Sequence, residues 1–244
     1  MLLRHGLAAL DEEPVPEGVE VEEVCLRDYN ISPCDACYST SSACCTFPCT
    51  AFPFDPMQAL YPKVLRADLL LIAAPTNQAA MSTRMKAFVD RLISLDGGYF
   101  VDADQYAPMD ADFRARMIAL AQTQQVHYDQ RMHGKVAAFF ITNKDDRDTG
   151  YVDDNGRKVG SYVLGVAESL YRGFYNFGFA FPAPDYYVAF RAIPQEDLSF
   201  DKQRLSEATV IHGRAKDLVR AAVRRVREVR LKPLPPAVCP PGRT

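Results

Sequence analysis

No stretch of the chain approaches the roughly 20 consecutive apolar residues that a bilayer-spanning helix requires, so the sequence offers no transmembrane helix. Charge of one sign is missing too. With 28 Lys and Arg against 31 Asp and Glu, the net of −3 gives no electrostatic basis for gripping nucleic acid or an anionic membrane. The amino terminus, MLLRHGLAALDEEP, turns acidic after its apolar patch and has no small-residue cleavage site. It does not read as a secretory signal, and a cytoplasmic protein is expected. No internal repeat of solenoid length is visible. No nucleophile or general base stands out, and His127 and His133 fall on a polar, helix-patterned stretch where they are expected to be solvated. What is present is 48% apolar residues over 244 positions, enough for a globular core of one or two domains.

The strongest positive signal is ADLLLIAAPTNQAAMSTRMKAFVDRLISL, Ala67 to Leu95. Leu69 to Ile72 form an unbroken apolar run, the pattern of a strand buried on both faces in a parallel sheet. Pro75 has no N–H to donate and is expected to end the ladder. Thr76, Asn77 and Gln78 then bring hydroxyl and amide groups to the carboxyl end of that strand, where open α/β sheets bind ligands. Ala79, Ala80 and Ser82 are small enough to let a flat ligand approach. The expected ligand loop therefore runs from Pro75 through Thr76, Asn77, Gln78, Met81 and Ser82 to Thr83. From Thr83 the period becomes helical, with Met85, Phe88, Val89 and Leu92 on one face and Arg84, Lys86 and Arg91 off it. Asp90 and Arg91 are expected to pair near the helix end. A plainer reading, in which Asn77, Ser82 and Thr83 are only loop and N-cap residues, is outweighed by their place after a buried strand.

Downstream, Val136 to Ile141 is a second buried strand, with Thr142, Asn143 and Lys144 as a second ligand loop by the same crevice argument. The acidic run Asp145 to Asp154 is expected to point outward. Helices are expected over Met1–Leu10, Asp110–His133, Val159–Phe177 (ended by Asn176-Phe177-Gly178) and Leu205–Leu231, and a last strand over Tyr186–Phe190. The aromatic series from Tyr171 to Phe181 reads as core or subunit interface. Residues 1–232 are expected to form one domain, and the Pro-rich 233–244 a disordered tail. The fold class is α/β, a doubly wound parallel sheet in three layers.

Such a fold opens with an apolar strand and a phosphate-binding loop ahead of its first helix, and here both are lacking. Met1–Leu10 already looks like the first helix, and the alternating run Val19 to Leu26 fits a second, near-edge strand. The expectation is a start codon placed downstream of the true one rather than a truncated product. Loss of a central strand would leave its neighbours with unpaired backbone groups.

Ala67-Asp68, the apolar strand, Pro75, the polar loop and Lys86-Ala87-Phe88-Val89-Asp90-Arg91 together resemble the NADPH-dependent FMN reductase and iron–sulfur flavoprotein families, which have the flavodoxin-like fold. The resemblance extends back through Ile31-Ser32-Pro33-Cys34-Asp35-Ala36-Cys37 and forward to about Phe190. It implies FMN as cofactor, NAD(P)H as substrate, and electron transfer to a quinone, flavin or other small-molecule or protein acceptor. Pro75 to Thr83 would lie against the flavin ring, with Thr142, Asn143 and Lys144 as a second wall, in a homodimer or homotetramer. The absent phosphate loop departs from the family pattern.

Five of the seven cysteines fall in PCDACYSTSSACCTFPC, Pro33 to Cys49. Thiols this dense in a reduced compartment share a metal or a cluster, or serve as structural or redox groups. The iron–sulfur flavoproteins use a compact four-cysteine motif at this place, so the resemblance implies Cys34, Cys37, Cys45 and Cys49 as candidate ligands of a 4Fe–4S cluster. The third cysteine of that motif is replaced by the Ser39 to Ser42 stretch. Redox or structural thiols, and zinc, remain open alternatives. A non-catalytic product without flavin binding is the remaining reading.

Overall fold

The computed structural model describes residues 2–12, 19–37, 45, 47–78, 80–96, 131–143, 151–152, 158–159, 162–191 and 202–232. The chain divides into two compact units. One comprises residues 1–24, 68–82 and 134–235, the other residues 25–67, 83–133 and 236–244.

The first unit is built on a four-stranded sheet. Its strands are β1 (Leu69–Asn77), β2 (Ala80–Met81), β3 (Val136–Asn143) and β6 (Tyr187–Arg191), in the order β2-β1-β3-β6. β1, β3 and β6 run parallel, with Leu69 opposite Val136 and Phe139 opposite Tyr187. A separate two-stranded ribbon pairs β4 (Tyr151–Val152) with β5 (Lys158–Val159). β3 is central, and every residue from Val136 to Ile141 is buried, as its unbroken apolar run requires. Its side chains alternate between two layers. Val136, Ala138 and Phe140 join the cluster formed with helix α1 (Leu2–Leu7), helix α2 (Ala9–Glu12) and the long helix α7 (Lys202–Leu231). On the other face Phe139 meets Phe174 of helix α6 (Tyr162–Asn176) edge-on at 5.5 Å.

α6 ends as its sequence predicts. Gly178 takes φ +88 and donates to the Tyr175 carbonyl at 2.9 Å, while the Phe179 N–H reaches the Phe174 carbonyl at 3.1 Å, a Schellman closure. Gly6 lets α1 lie close. A Cβ there would stand 2.9 Å from Phe140 Cε1 and 3.0 Å from the Ala215 carbonyl oxygen. In the aromatic series Phe174, Phe177 and Phe179 are core, whereas Tyr175 is exposed.

Three expectations are corrected in this unit. Pro75 does not end the ladder: β1 continues to Asn77, with Pro75 opposite Thr142. An edge strand tolerates proline because one side of it owes no N–H. β1 is not buried on both faces either, since Ala73 and Pro75 are exposed. Among the described residues, β3 is its only partner before Thr76, where β2 begins to pair. Finally, residues 19–24 form no strand and are exposed, Val21 to 60%. Their alternating pattern predicts a strand, and among the described residues no strand pairs with them.

The second unit carries helices α3 (Met57–Arg66), α4 (Thr83–Arg91) and α5 (Ile93–Asp96), with a 3-10 turn at Leu26–Asp28. α3 was not anticipated from the sequence. It buries Met57, Leu60, Tyr61 and Val64 at helical spacing. α4 buries Met85, Phe88 and Val89, the expected face, but also Arg91. The helix expected over 110–133 falls almost wholly outside the described residues, of which it keeps 131–133 as a turn. Lys144 and the tail 233–244 also lie outside them, as does the acidic run apart from Tyr151–Val152.

Candidate functional site

The loop after β1 is a tight hairpin. Thr76 pairs with Met81 and Asn77 with Ala80, and Gln78 turns the chain with φ +48, in the left-handed region that residues other than glycine seldom enter. Pro75 sits opposite Thr142, and Thr142 and Asn143 lie opposite Phe190 and Arg191 in β6. The parallel register thus brings Pro75, Thr76, Asn77 and Gln78 to the same carboxyl edge as Thr142 and Asn143. Asn77 and Gln78 are exposed, Thr142 and Ser82 half-buried, and Asn143 and Met81 buried. Met81, across from Thr76, anchors the hairpin. Thr83 is exposed and opens α4 in the second unit.

Thr76 carries the chemical signal in this edge. Its Oγ1 is buried and has no hydrogen-bond partner. A buried hydroxyl left unpaired costs about 1–3 kcal/mol, a cost that a ligand acceptor or donor at that point would remove. Hydroxyl and amide groups at the mouth of a parallel sheet suit the polar edge of a flat heterocycle.

The second unit holds a buried ion pair beside the cysteines. Arg91 Nη1 and Asp55 Oδ2 stand 3.2 Å apart, with side chains only 1% and 2% exposed. Asp55 also accepts the N–H of Ser32 and the N–H of Met57, each at 2.8 Å, which caps α3 and ties down the segment leading to Cys34. Burial pushes the Asp55 carboxyl up, but the two N–H donors and the Arg91 charge outweigh it and hold the group below the usual carboxylate range. Arg91 donates to the Ser32 carbonyl at 3.2 Å and stacks on the Phe52 ring at 4.4 Å. Its Nε and Nη2 have no partner. Tyr61 Oη, Ser94 Oγ and the Arg91 carbonyl complete the knot at 3.0 and 3.2 Å. The expected Asp90–Arg91 pair is therefore corrected. Asp90 takes Lys86 at 2.5 Å, one turn away on the exposed face, and Arg91 turns inward to Asp55. Asp55 was missed as a site residue, although an Asp two places before an apolar helix start is an N-cap signal.

Cys34, Cys37 and Cys49 are half-buried and Cys45 is buried, all as free thiols. They share a neighbourhood. Burial first, then the charges of Cys49 and Cys34, raise the thiols of both Cys37 and Cys45, the latter to about 12. Yet among the described residues no three Cys, His, Asp or Glu side chains converge in a geometry that could hold a metal ion.

The sequence matches the family model described as NADPH-dependent FMN reductase over residues 1–168. None of the curated proteins matches it. Among solved structures the fold is similar to RosB, whose crystal structure has the bound intermediate OHC-RP, 8-demethyl-8-formylriboflavin-5'-phosphate. The TM-score is 0.57 at 14% identity, covering 96% of this chain and 73% of that one. At such identity the likeness speaks for the fold alone, a flavodoxin-like three-layer α/β architecture with a mostly parallel sheet. No described helix is long and apolar enough to cross a membrane. With its match extending over residues 1–168, the chain belongs to the NADPH-dependent FMN reductase family, whose members are FMN-dependent NAD(P)H oxidoreductases.

Proposed function

We propose that the chain seats the isoalloxazine ring of FMN against the carboxyl edge of β1 and β3, and that it passes electrons from NAD(P)H to a quinone, a free flavin or another small acceptor. The observation that carries this reading is the partnerless buried hydroxyl of Thr76 on the hairpin. Asn77 and Gln78 offer further amides on one side, and Thr142 and Asn143 form the facing wall. Pro75 stiffens the strand end that presents them. Bound FMN supplies the hydride chemistry, while the protein contributes orientation, hydrogen bonds and exclusion of water. The dimer or tetramer implied by the family resemblance, and a cytoplasmic setting, belong to the same reading.

FMN titration followed by flavin fluorescence tests it. The wild-type chain is expected to quench FMN saturably, and Thr76→Val to bind about 5- to 30-fold more weakly, the equivalent of losing one hydrogen bond worth ~1–2 kcal/mol. Equal affinity of the two proteins, or no uptake by either, overturns the assignment. An iron–sulfur electron shuttle, the alternative from the sequence, has no supporting geometry among the described residues.

A further inference from the structure

The cysteine segment takes no part in flavin binding as read above, and among the described residues no three ligating side chains converge on a metal site. Its described residues are nevertheless tied down at both ends. Two residues ahead of Cys34, Ser32 is held at both backbone atoms: its N–H donates to Asp55 at 2.8 Å and its carbonyl accepts from Arg91 at 3.2 Å. At the far end of the segment, Gln58 Nε2 donates to the carbonyls of Cys49 and Phe52 at 3.0 and 3.2 Å. Between these anchors Ala36 adopts φ +55, a left-handed value unusual for alanine, and its N–H donates to Cys34 Sγ at 3.4 Å. In a Cys-x-x-Cys turn the second thiol can resolve a mixed disulfide formed on the first, and here the first sulfur accepts the Ala36 N–H. Cys34 and Cys37 are both half-exposed and reachable, while Cys45 is buried.

We propose that Cys34 and Cys37 form a redox-active dithiol that reduces low-molecular-weight disulfides by thiol–disulfide exchange, with Cys34 attacking and Cys37 resolving. The Cys34 thiolate attacks one sulfur of the substrate disulfide. The substrate S–S bond breaks, a mixed disulfide forms, and the first thiolate leaves and takes up a proton. Cys37 then gives up its proton and attacks Cys34 Sγ, forming the Cys34–Cys37 bond and expelling the second substrate thiolate, which is protonated in turn. Two electrons and two protons have moved to the substrate, and a reducing dithiol restores the pair.

The test uses the full chain, reduced and desalted, exposed to oxidised glutathione, quenched with acid and mapped by peptide mass spectrometry. The expected wild-type product is an intramolecular Cys34–Cys37 disulfide. Cys37→Ser is expected to trap glutathione on Cys34, and Cys34→Ser to lose at least about tenfold in the rate of glutathione incorporation. Far-ultraviolet dichroism and thermal melting of both variants establish that each is folded. Three results overturn the proposal. One is a disulfide between Cys34 and Cys49 or Cys45 instead, and another is equal glutathione uptake by the two variants. The third is unreactive thiols accompanied by stoichiometric iron or zinc in the purified protein.

Discussion

Truncating Asp55 to alanine should be among the most damaging single changes in the second unit. The carboxylate accepts three donors at once: the Ser32 and Met57 N–H groups at 2.8 Å and the Arg91 guanidinium at 3.2 Å. Removing it strands a guanidinium that is 1% exposed and already lacks partners at two nitrogens. Breaking one side of a buried pair costs about 3–5 kcal/mol, because the remaining charge keeps its desolvation penalty without its partner. At roughly 2–4 °C per kcal/mol for a chain of this size, the melting temperature should fall by about 10 °C. Urea unfolding of Asp55→Ala, Arg91→Met and the double variant Asp55→Ala/Arg91→Met provides the assay. The double variant should lose less than the sum of the two single variants, since it removes both charges together. The direction of the Asp55 shift also sets a pH dependence. Its folded-state carboxyl lies below its unfolded value, so its contribution is complete above the unfolded value of about 3.9 and is lost as pH falls through the folded one. A change of less than about 0.5 kcal/mol in Asp55→Ala, the range of ordinary surface substitutions, would refute the reasoning.

Gly6→Val should destabilise the first unit by about 1–3 kcal/mol through overpacking, since even a Cβ would press on Phe140 and on the Ala215 carbonyl, a backbone atom that cannot swing aside; urea unfolding reads it, and an unchanged midpoint contradicts the close approach. The His5 and His212 rings stack at 3.6 Å, and burial, His5 and Lys216 in that order lower the His212 pKa. The folded state therefore prefers neutral His212, and its contribution is complete above the unfolded value of about 6.5 and declines as pH falls below it. Thermal melts between pH 8 and pH 5 should show a smaller acid-side loss in His212→Gln than in the wild type (roughly bracketing that titration), and identical slopes would sink the idea.

Much of the first unit was legible because its elements declare themselves locally. The Val136–Ile141 run has no polar interruption, α6 carries its own stop at Gly178, and α7 holds its period over many turns. β1 was legible as a strand but not in its burial, since hydropathy reports what a strand could cover and not whether a neighbour arrives. The Val19–Val24 alternation misled for the same reason: the period predicts a strand only where backbone partners exist. In the candidate site, the position of Pro75 to Ser82 followed from the crevice rule, but the orphaned Thr76 hydroxyl is a three-dimensional fact with no sequence signature. Arg91 lay hidden because Asp90 and the helical period supplied nearer, plainer partners, whereas Asp55 reaches it only through the fold.

The place of β1 beside β3 bears on handling the protein at high concentration. Among the described residues no strand pairs with β1 on its other side from Leu69 to Pro75, and an edge strand is where pairing with another molecule has to be limited. The run is bracketed by features that limit such growth. Asp68, paired with Arg230 at 2.5 Å, places charge at one end, and Pro75 withholds an N–H at the other. Association through this edge should be short in register and reversible on dilution, visible as light scattering that rises with concentration and relaxes when the sample is diluted. Replacing Pro75 by valine would lift one of those limits and turn a reversible encounter into the seed of an ordered aggregate.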